Sequence, residues 1–202
     1  TCTFTNSRRP TLRVIKHVVN DDGGAAAAED WSLTVTPPDG PVLSAPGSET
    51  GTLYTLAPGT YTIGERPQNI ESPITRGYTP SLAGCNGGAI TLAYGDTATC
   101  TIVNDDAAPR LLLEKDVVGG GAQPGAFTLR AGGEGNSARD YAKPGVAVGA
   151  AGEPQAMLIG VTYRLSETGP AGYESDGVWS CRDRAGDGEK PALAAPRFVA
   201  PD

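Results

Sequence analysis

The sequence is short of histidine, of aromatic side chains and of long apolar runs, and each shortage excludes a class of function. Among its 202 residues there is one histidine, and 6% are aromatic. A single histidine gives no basis for a Ser/His/Asp triad, and we predict no enzyme with turnover. The four cysteines lie far apart in the sequence, so they form no zinc-binding pair. No apolar run is long enough to span a bilayer, so membrane insertion is not expected.

Basic residues are also fewer than acidic residues. The chain has 16 lysines and arginines against 23 aspartates and glutamates, which gives a net charge of -7. Proteins that bind nucleic acids neutralise phosphates with basic surfaces, so a nucleic-acid partner is not expected. Phosphate-binding glycine motifs are missing, and we predict no cofactor and no metal. No secretory leader is visible, and we expect a mature, secreted or cell-surface protein with disulfides formed in an oxidising compartment.

Glycine and proline are abundant, with 28 and 17 residues, and they separate short runs rich in Thr, Val, Leu and Tyr. Examples of these runs are TLRVIKHVV, WSLTV, GTYTIGE, AITLAYG and TCTIVN. Short β-forming runs between turn residues are typical of a sandwich of antiparallel sheets. The sequence therefore predicts an all-β fold.

The chain contains two copies of one pattern, about 100 residues apart. TLRVIKHVVNDDGG at 11–24 aligns with RLLLEKDVVGGG at 110–121, and LAPGTYTIGE at 56–65 aligns with LIGVTYRLSE at 158–167. The aligned pairs are Lys16 with Lys115, Tyr61 with Tyr163, Glu65 with Glu167, RGY at 76–78 with AGY at 171–173, and Cys85 with Cys181. This repeat predicts two tandem immunoglobulin-like β-sandwiches.

The second copy stops before its last strand. The first copy ends in TATCTIVN at 97–104, whereas the second ends in RFVAPD. The chain itself begins with TCTFTN, which matches TCTIVN at 99–104. We therefore predict an N-terminal donor strand at 1–6, a first sandwich at 7–106 and a second sandwich at 110–202 that lacks its last strand.

An incomplete sheet exposes unpaired backbone groups, so the missing strand must come from elsewhere. It could come from another copy, from the same chain folded back, or from flanking sequence of a longer protein. Folding back is disfavoured because tandem sandwiches place segment 1–6 and the open groove near opposite ends. Donation between copies is head-to-tail and does not close, so it predicts a filament made of copies of this chain. The alternative is a stalk segment of a longer cell-surface adhesin that does not self-assemble.

Strand alternation places polar side chains on faces that should be buried. They are Lys16, Glu65 and Asn104 in the first copy, Lys115 and Glu167 in the second, and Asn6 in the N-terminal segment. Burial disfavours charged forms, and a neutral lysine is a nucleophile. A protonated glutamic acid can polarise an amide and relay protons, so lysine and asparagine can condense into an isopeptide bond with loss of ammonia. This reaction happens once and is self-crosslinking rather than turnover.

Two motifs resemble a known family. L-x-x-G-x-Y-x-I-x-E at 56–65 and I-G-x-T-Y-x-L-x-E-x-x-P-x-G-Y at 159–173 resemble the Cna-B or prealbumin-like (SpaA-type) domains of bacterial surface proteins and pilins. The resemblance covers both copies, and it implies that a lysine on the first strand joins an asparagine on the last, promoted by a glutamate. In the first copy these residues are Lys16, Asn104 and Glu65. In the second they are Lys115 and Glu167, with Asn6 supplied by a neighbouring copy.

The repeat also pairs the cysteines. Cys85 and Cys100 lie in one copy, separated by a strand-hairpin segment, and are predicted to form an intradomain disulfide. Cys181 corresponds to Cys85 and Cys2 to Cys100, so a bond between them would join two subunits. Within the donor strand, Phe4 is expected to fill the core of the neighbouring second sandwich.

Less specific interpretations stay open for several of these residues. Each lysine could lie at a strand end, extend into solvent and form an ordinary salt bridge with its glutamate. Cys2 and Cys181 could pair within a longer parent chain. The Asn-Asp clusters at 20–23 and 104–106 could bind calcium, but they lack EF-hand spacing and are more typical of solvated turns. A ligand-binding adhesin would need an exposed aromatic patch, and the candidate aromatics are Trp179 and Tyr141.

Overall fold

The computed structural model describes residues 1–70, 72–135, 139–181 and 197–199. The chain divides into two compact units, Thr1–Ala107 (unit 1) and Ala108–Asp202 (unit 2). Within the described residues there are sixteen strands and three short 3-10 turns, so the predicted all-β class is confirmed. None of the helices in these ranges has the length and apolar character needed to cross a bilayer.

Unit 1 consists of two four-stranded sheets. Its strands are β1 (Thr11–Val19), β2 (Trp31–Thr36), β3 (Leu43–Pro46), β4 (Thr52–Thr55), β5 (Gly59–Pro67), β6 (Tyr78–Ala83), β7 (Ala89–Leu92) and β8 (Thr97–Asp106). One sheet has the order β4-β1-β8-β6 and the other the order β3-β2-β5-β7. The first and last strands, β1 and β8, are parallel neighbours.

Side-chain alternation decides which face of each strand is buried. In β1, Leu12, Val14 and Lys16 are buried, whereas Arg13 and His17 are exposed. The inward residues of both sheets meet in one core, formed by Leu12, Val14, Leu33, Val35, Leu56, Tyr61, Ile63, Cys85, Leu92, Cys100 and Ile102. Burial of each large aliphatic side chain contributes about 1.5–3 kcal/mol, so this shared core holds the two sheets together.

The predicted disulfide between Cys85 and Cys100 is present in unit 1. Cys85 follows β6 and Cys100 lies in β8, so the bond fastens the connection between β6 and β7 to the last strand. Both residues belong to the buried core.

Unit 2 repeats part of this arrangement. Its strands are β9 (Arg110–Leu111), β10 (Glu114–Lys115), β11 (Thr128–Gly133), β12 (Tyr141–Pro144), β13 (Val146–Ala147), β14 (Gln155–Ala156), β15 (Thr162–Thr168) and β16 (Arg197–Val199). The sheet β12-β11-β15-β16 has the order of β3-β2-β5-β7, strand for strand. The expected first strand RLLLEKDVV is divided into β9 and β10, because its two parts pair with different partners, β14 and β13.

The first strands of the two units have different neighbours. β1 lies between β4 and β8. β9 pairs with β14 and β10 with β13, and the described part of unit 2 has no strand in the place of β8. The unit 2 core contains Leu111, Leu113, Leu129, Ala131, Tyr141, Met157, Tyr163 and Leu165. Among these there is no counterpart of Cys100 and Ile102, the residues that β8 adds to the unit 1 core.

The N-terminal segment leaves unit 1 at the turn between β7 and β8. Residues 1–9 are exposed and lie in no strand. Arg8 donates from its guanidinium to the Gly95 carbonyl at 2.8 Å, and the Arg8 carbonyl accepts the Gly95 N–H at 2.7 Å. This anchor lies at the beginning of β8, whereas unit 2 begins just after the end of β8 at Asp106.

Candidate functional site

A lysine and a glutamate form an ion pair inside unit 1. Lys16 projects from β1 with 0% of its side chain exposed, and Glu65 projects from β5 of the other sheet with 14% exposed. Lys16 Nζ lies 3.1 Å from Glu65 Oε2. The Lys16 side chain has no exposed surface, so it does not extend into solvent, but it does form the salt bridge with Glu65 that the less specific interpretation predicted.

β8 brings Asn104 to the same face. In the parallel pairing, Lys16 is opposite Ile102, and Asn104 is two residues further along β8. Asn104 is 2% exposed and therefore points into the unit, as Lys16 does. Neighbouring strands lie about 4.8 Å apart and two residues advance about 6.6 Å along a strand, so the lysine side chain is long enough to reach the amide.

Unpaired polar atoms are concentrated in this group. Five buried side-chain polar atoms in the described part of the chain have no hydrogen-bond partner, and three of them are Lys16 Nζ, Glu65 Oε2 and Asn104 Oδ1. Lys16 Nζ and Glu65 Oε2 nevertheless contact each other as a 3.1 Å ion pair, whereas Asn104 Oδ1 has neither kind of partner. An unpaired buried polar group costs about 1–3 kcal/mol, so the Asn104 amide oxygen beside a buried ion pair requires an explanation.

Burial lowers the pKa of Lys16, because the ammonium loses hydration inside the unit. The carboxylates of Glu65 and Glu49 act in the opposite direction. Burial is the larger influence, so the neutral amine is more accessible than it would be in water. The neutral amine is the form that can attack a carbonyl carbon.

Unit 2 carries the same pair in a more open setting. Lys115 of β10 lies 2.9 Å from Glu167 Oε2 and donates a 3.2 Å hydrogen bond to Glu167 Oε1. Glu167 belongs to β15, the counterpart of β5. Each side chain is 18% exposed. This pair is therefore more open to solvent than the pair in unit 1.

An aromatic ring covers each lysine, which the sequence analysis missed. Lys16 Nζ lies 4.7 Å from the ring centroid of Trp31, and Lys115 Nζ lies 4.9 Å from that of Phe127. Both aromatic residues are 3% exposed, and each follows a three-residue 3-10 turn. The repeat itself was the available signal, because WSLTV beginning at Trp31 aligns with FTLRA beginning at Phe127.

The structure does not bring the N-terminal residues into a core. Cys2, Phe4 and Asn6 are exposed, with 88% of Phe4 accessible. Cys181 is half-buried. The roles of these residues at a junction between copies, and the two lysine–asparagine bonds, therefore stay predictions.

Three carboxylates meet near the end of β8. Oxygens of Asp21, Asp105 and Asp106 lie within 4.8 Å of one another. Asp106 is 3% exposed and accepts the backbone N–H groups of Asp22 and Gly24. The buried carboxylate thus stabilises the turn that follows β1, which is a structural role.

The two aromatics considered for a ligand-binding patch do not form one. Tyr141 is 1% exposed and belongs to the core of unit 2. Trp179 is half-buried and packs against the same core. Neither residue offers the broad exposed ring on which a carbohydrate could stack.

Comparison with known proteins agrees with the fold. The sequence profile of the prealbumin-like fold domain family matches the chain twice, at residues 8–102 and 106–195. The matches cover both copies of the repeat and nearly the whole chain. No curated protein sequence matches the chain.

Solved structures of the pilus adhesin SpaC from Lactobacillus rhamnosus GG are among those similar to this chain. Its C-terminal fragment is 16% identical with a TM-score of 0.39, covering 82% of this chain and 78% of that chain. The iodide-soaked form of the fragment is 17% identical with a TM-score of 0.40, covering 90% and 85%. A structure of SpaC is 19% identical with a TM-score of 0.34, covering 81% and 25%. These TM-scores are too low to decide anything, whereas the two profile matches are sufficient: the chain belongs to the prealbumin-like fold domain family.

Proposed function

We propose that the chain is a structural subunit of an extracellular bacterial filament or pilus, assembled head to tail from copies of itself. Residues 1–6 of one copy would complete unit 2 of the next as its last strand. A disulfide between Cys2 and Cys181 and an isopeptide bond between Lys115 and Asn6 would lock this joint. Unit 1 would carry the same two kinds of bond within one chain.

The first strand of unit 2 is the observation that carries the proposal. In unit 1 the first strand has β8 as its parallel neighbour, whereas the described part of unit 2 has no such strand. TCTFTN at 1–6 repeats the cysteine, the central apolar residue and the asparagine of TCTIVN at 99–104. An added strand gains backbone hydrogen bonds and inserts alternate side chains into the core.

Unit 1 provides a template for the register of the donated strand. The corresponding residues are Cys2 with Cys100, Phe4 with Ile102 and Asn6 with Asn104. Ile102 is 1% exposed in the core of unit 1, so Phe4 would change from exposed to buried on donation. Burying such a side chain contributes about 1.5–3 kcal/mol, which is a large share of the affinity of a short strand.

The isopeptide chemistry is derived from unit 1, because a single chain there supplies the lysine, the glutamate and the asparagine. Lys16 Nζ gives a proton to Glu65 and attacks Asn104 Cγ as a neutral amine. The Nζ–Cγ bond forms, Glu65 passes its proton to Nδ2 as the Cγ–Nδ2 bond breaks, and the amide nitrogen leaves as ammonia. Nζ then gives its second proton to Glu65, which ends as the neutral acid. One neutral amide then replaces a buried ion pair and an unpaired side-chain amide, which relieves the burial of charge. In unit 2, Lys115 and Glu167 would act in the same way on Asn6.

Electrophoresis of four variants tests the assembly. The parent chain should give a ladder that survives boiling and reductant, because its joints carry both bonds. Asn6→Ala should give a ladder that collapses with reductant, and Cys2→Ser a ladder that resists it. The double variant should be monomeric after boiling and oligomeric on a native gel. A ladder that persists when residues 1–6 are deleted would contradict strand donation.

The alternative is a stalk segment of a longer cell-surface adhesin. It shares the fold, the Cys85–Cys100 disulfide and the Lys16–Asn104 chemistry, but it needs no contact between copies. A parent chain that stays monomeric on the native gel, with unit 1 crosslinked, would select this alternative. Both functions place the chain outside the cell, where disulfides persist.

A further inference from the structure

One pair of aromatic residues recurs in both units and has no part in the chemistry described above. Each pair combines the ring that covers the lysine with the tyrosine of the RGY or AGY motif. We infer that Tyr78 and Tyr173 are positioning residues for the crosslinking lysines, and that they act by holding Trp31 and Phe127 over the amines. The inference rests on the proposed function, to which it adds a role for the repeated tyrosine.

In unit 1, Trp31 is held from both sides. Its ring face lies 4.7 Å from Lys16 Nζ. Tyr78 packs against Trp31 edge-to-face, with ring centroids 5.3 Å apart and an angle of 74° between the planes. Trp31 begins β2 and Tyr78 begins β6, so the contact joins the two sheets of the unit. Movement of the tyrosine would release the indole from the amine.

The hydroxyl of Tyr78 is in turn fixed by the loop after β1. It donates to Asn20 Oδ1 and accepts the Ala26 N–H at 3.1 Å. Gly24 of this loop is so close that an added Cβ would overlap the Tyr78 hydroxyl and lie 2.8 Å from Asp106 Oδ2. The loop, the tyrosine, the tryptophan and the lysine therefore form one continuous packed series.

Unit 2 builds the same series from different residues. Phe127 and Tyr173 pack edge-to-face at 5.5 Å and 89°. The Tyr173 hydroxyl accepts the Ala122 N–H at 2.8 Å. Gly120 is again required by space, because a Cβ there would lie 2.9 Å from Tyr173 Cζ. The ring over the lysine is a tryptophan in unit 1 and a phenylalanine in unit 2. The feature that both units share is therefore an aromatic face held by a tyrosine.

The chemistry explains why a held ring is useful. Lysine has a long flexible side chain, and condensation requires Nζ to stay between the glutamate and the asparagine amide. A ring on the remaining side excludes water and limits the side chain to productive positions, and such orientation is a large part of intramolecular rate enhancement. The tyrosine contacts neither the amine nor the amide, so its role is indirect.

Access to the amine can be measured without relying on the crosslink. In an Asn104→Ala background Lys16 remains an amine, and its acylation by a small anhydride can be followed by peptide mass mapping. Tyr78→Ala should accelerate Lys16 labelling by about tenfold or more, and Tyr78→Phe, which keeps the ring, by less than about threefold. Tyr54→Ala is the matched control, because it removes a ring that packs on the unit 1 core elsewhere.

Equal labelling of Lys16 in Tyr78→Ala and in Tyr54→Ala would overturn the inference. If Tyr78→Ala fails to fold, Asn20→Ala can be used instead, because it removes the acceptor of the Tyr78 hydroxyl. Labelling of Lys16 should then also become faster. An unchanged rate of Lys16 labelling in Asn20→Ala would count equally against the inference.

The crosslink gives a second readout in the chain that retains Asn104. Loss of ammonia during the first folding of chains isolated unfolded and uncrosslinked should be slowed about tenfold by Tyr78→Ala and hardly at all by Tyr54→Ala. A parent chain that never loses ammonia would refute the proposed crosslink. The labelling contrast would then still decide the positioning role, so the two failures are distinguishable.

Discussion

The same lysine–glutamate pair occurs in both units, but it is more deeply buried in unit 1 than in unit 2. In unit 1, Lys16 is fully buried, and its Nζ lies 3.1 Å from Glu65 Oε2. In unit 2, Lys115 is 18% exposed and is hydrogen-bonded to Glu167. The difference corresponds to one strand, because β8 lies beside the lysine strand in unit 1 and the described part of unit 2 has no counterpart.

This comparison suggests that closing the sheet is what makes the pair reactive. A lysine and a glutamate that are open to water keep their charges at little cost. We propose that a strand covering them removes that water, makes the buried charges expensive and would deliver the asparagine whose condensation removes them. The last strand would then be both the cover and the substrate, in unit 1 from the same chain and in unit 2 from another.

The largest effect is expected from removing the asparagine of the complete unit. Asn104→Ala leaves Lys16 unlinked and opens a covalent loop that spans most of unit 1. By analogy with a disulfide closing a loop of about 90 residues, this should cost about 4–5 kcal/mol. Thermal unfolding of unit 1 and intact mass would measure the loss. Asn6→Ala should leave unit 1 unchanged, and equal stability of Asn104→Ala and the parent would contradict the bond.

The next effect concerns the donated strand. Phe4→Ala, in a Cys2→Ser/Asn6→Ala background where association is reversible, should weaken self-association by about 3 kcal/mol, or roughly 100-fold in Kd. Phe4→Leu should lose much less, because it still fills the core. Sedimentation equilibrium would give the constants. An unchanged constant for Phe4→Ala would exclude Phe4 as the anchor.

An effect of similar size is expected from removing the disulfide of unit 1, and it distinguishes the disulfide from the isopeptide crosslink. Replacing Cys85 and Cys100 with serine opens a loop with a sequence separation of 15. The loss should be about 3 kcal/mol from unit 1. Because β8 belongs to the same chain, ammonia should still be lost, and intact mass would show it. Complete failure of the crosslink in this folded variant would mean that the disulfide sets the register.

The smallest effect is a pH dependence in the uncrosslinked unit. Burial lowers the pKa of Lys16 below its ordinary 10.5, against the opposing influence of Glu65 and Glu49. Between the lowered value and 10.5 the unfolded chain binds more protons than the folded one, so the stability of Asn104→Ala should rise with pH. Adding Lys16→Met should remove this slope in denaturant titrations. An identical slope in both variants would show that Lys16 stays charged.

The strand pattern and the inward phase of the reactive residues could be predicted from sequence. Side chains alternate with a period of two along a strand, so Lys16 and Asn104 followed directly from their spacing to Val14 and Ile102. The Cys85–Cys100 disulfide followed because both residues lie within one copy of the repeat.

The aromatic cover could not be predicted in this way. Trp31 and Tyr78 lie on different sheets, and they meet only because the sheets pack face to face. The division of the first strand of unit 2 was missed for a similar reason, because β9 and β10 owe their separate pairings to β14 and β13. Local spacing carries no information about either contact.

Mixing isotopically labelled and unlabelled copies tests the central claim most directly. The two kinds of chain are isolated unfolded and uncrosslinked, mixed, folded together and oxidised, and peptide mapping then identifies which chain contributes each partner of a crosslink. We expect peptides that join Lys115 to Asn6, or Cys181 to Cys2, to contain one labelled and one unlabelled chain in about half of cases, as random donation between copies requires. Peptides that join Lys16 to Asn104 should never be mixed. If residues 1–6 are linked only within one isotopic species, or to nothing, the second unit is not completed by another copy.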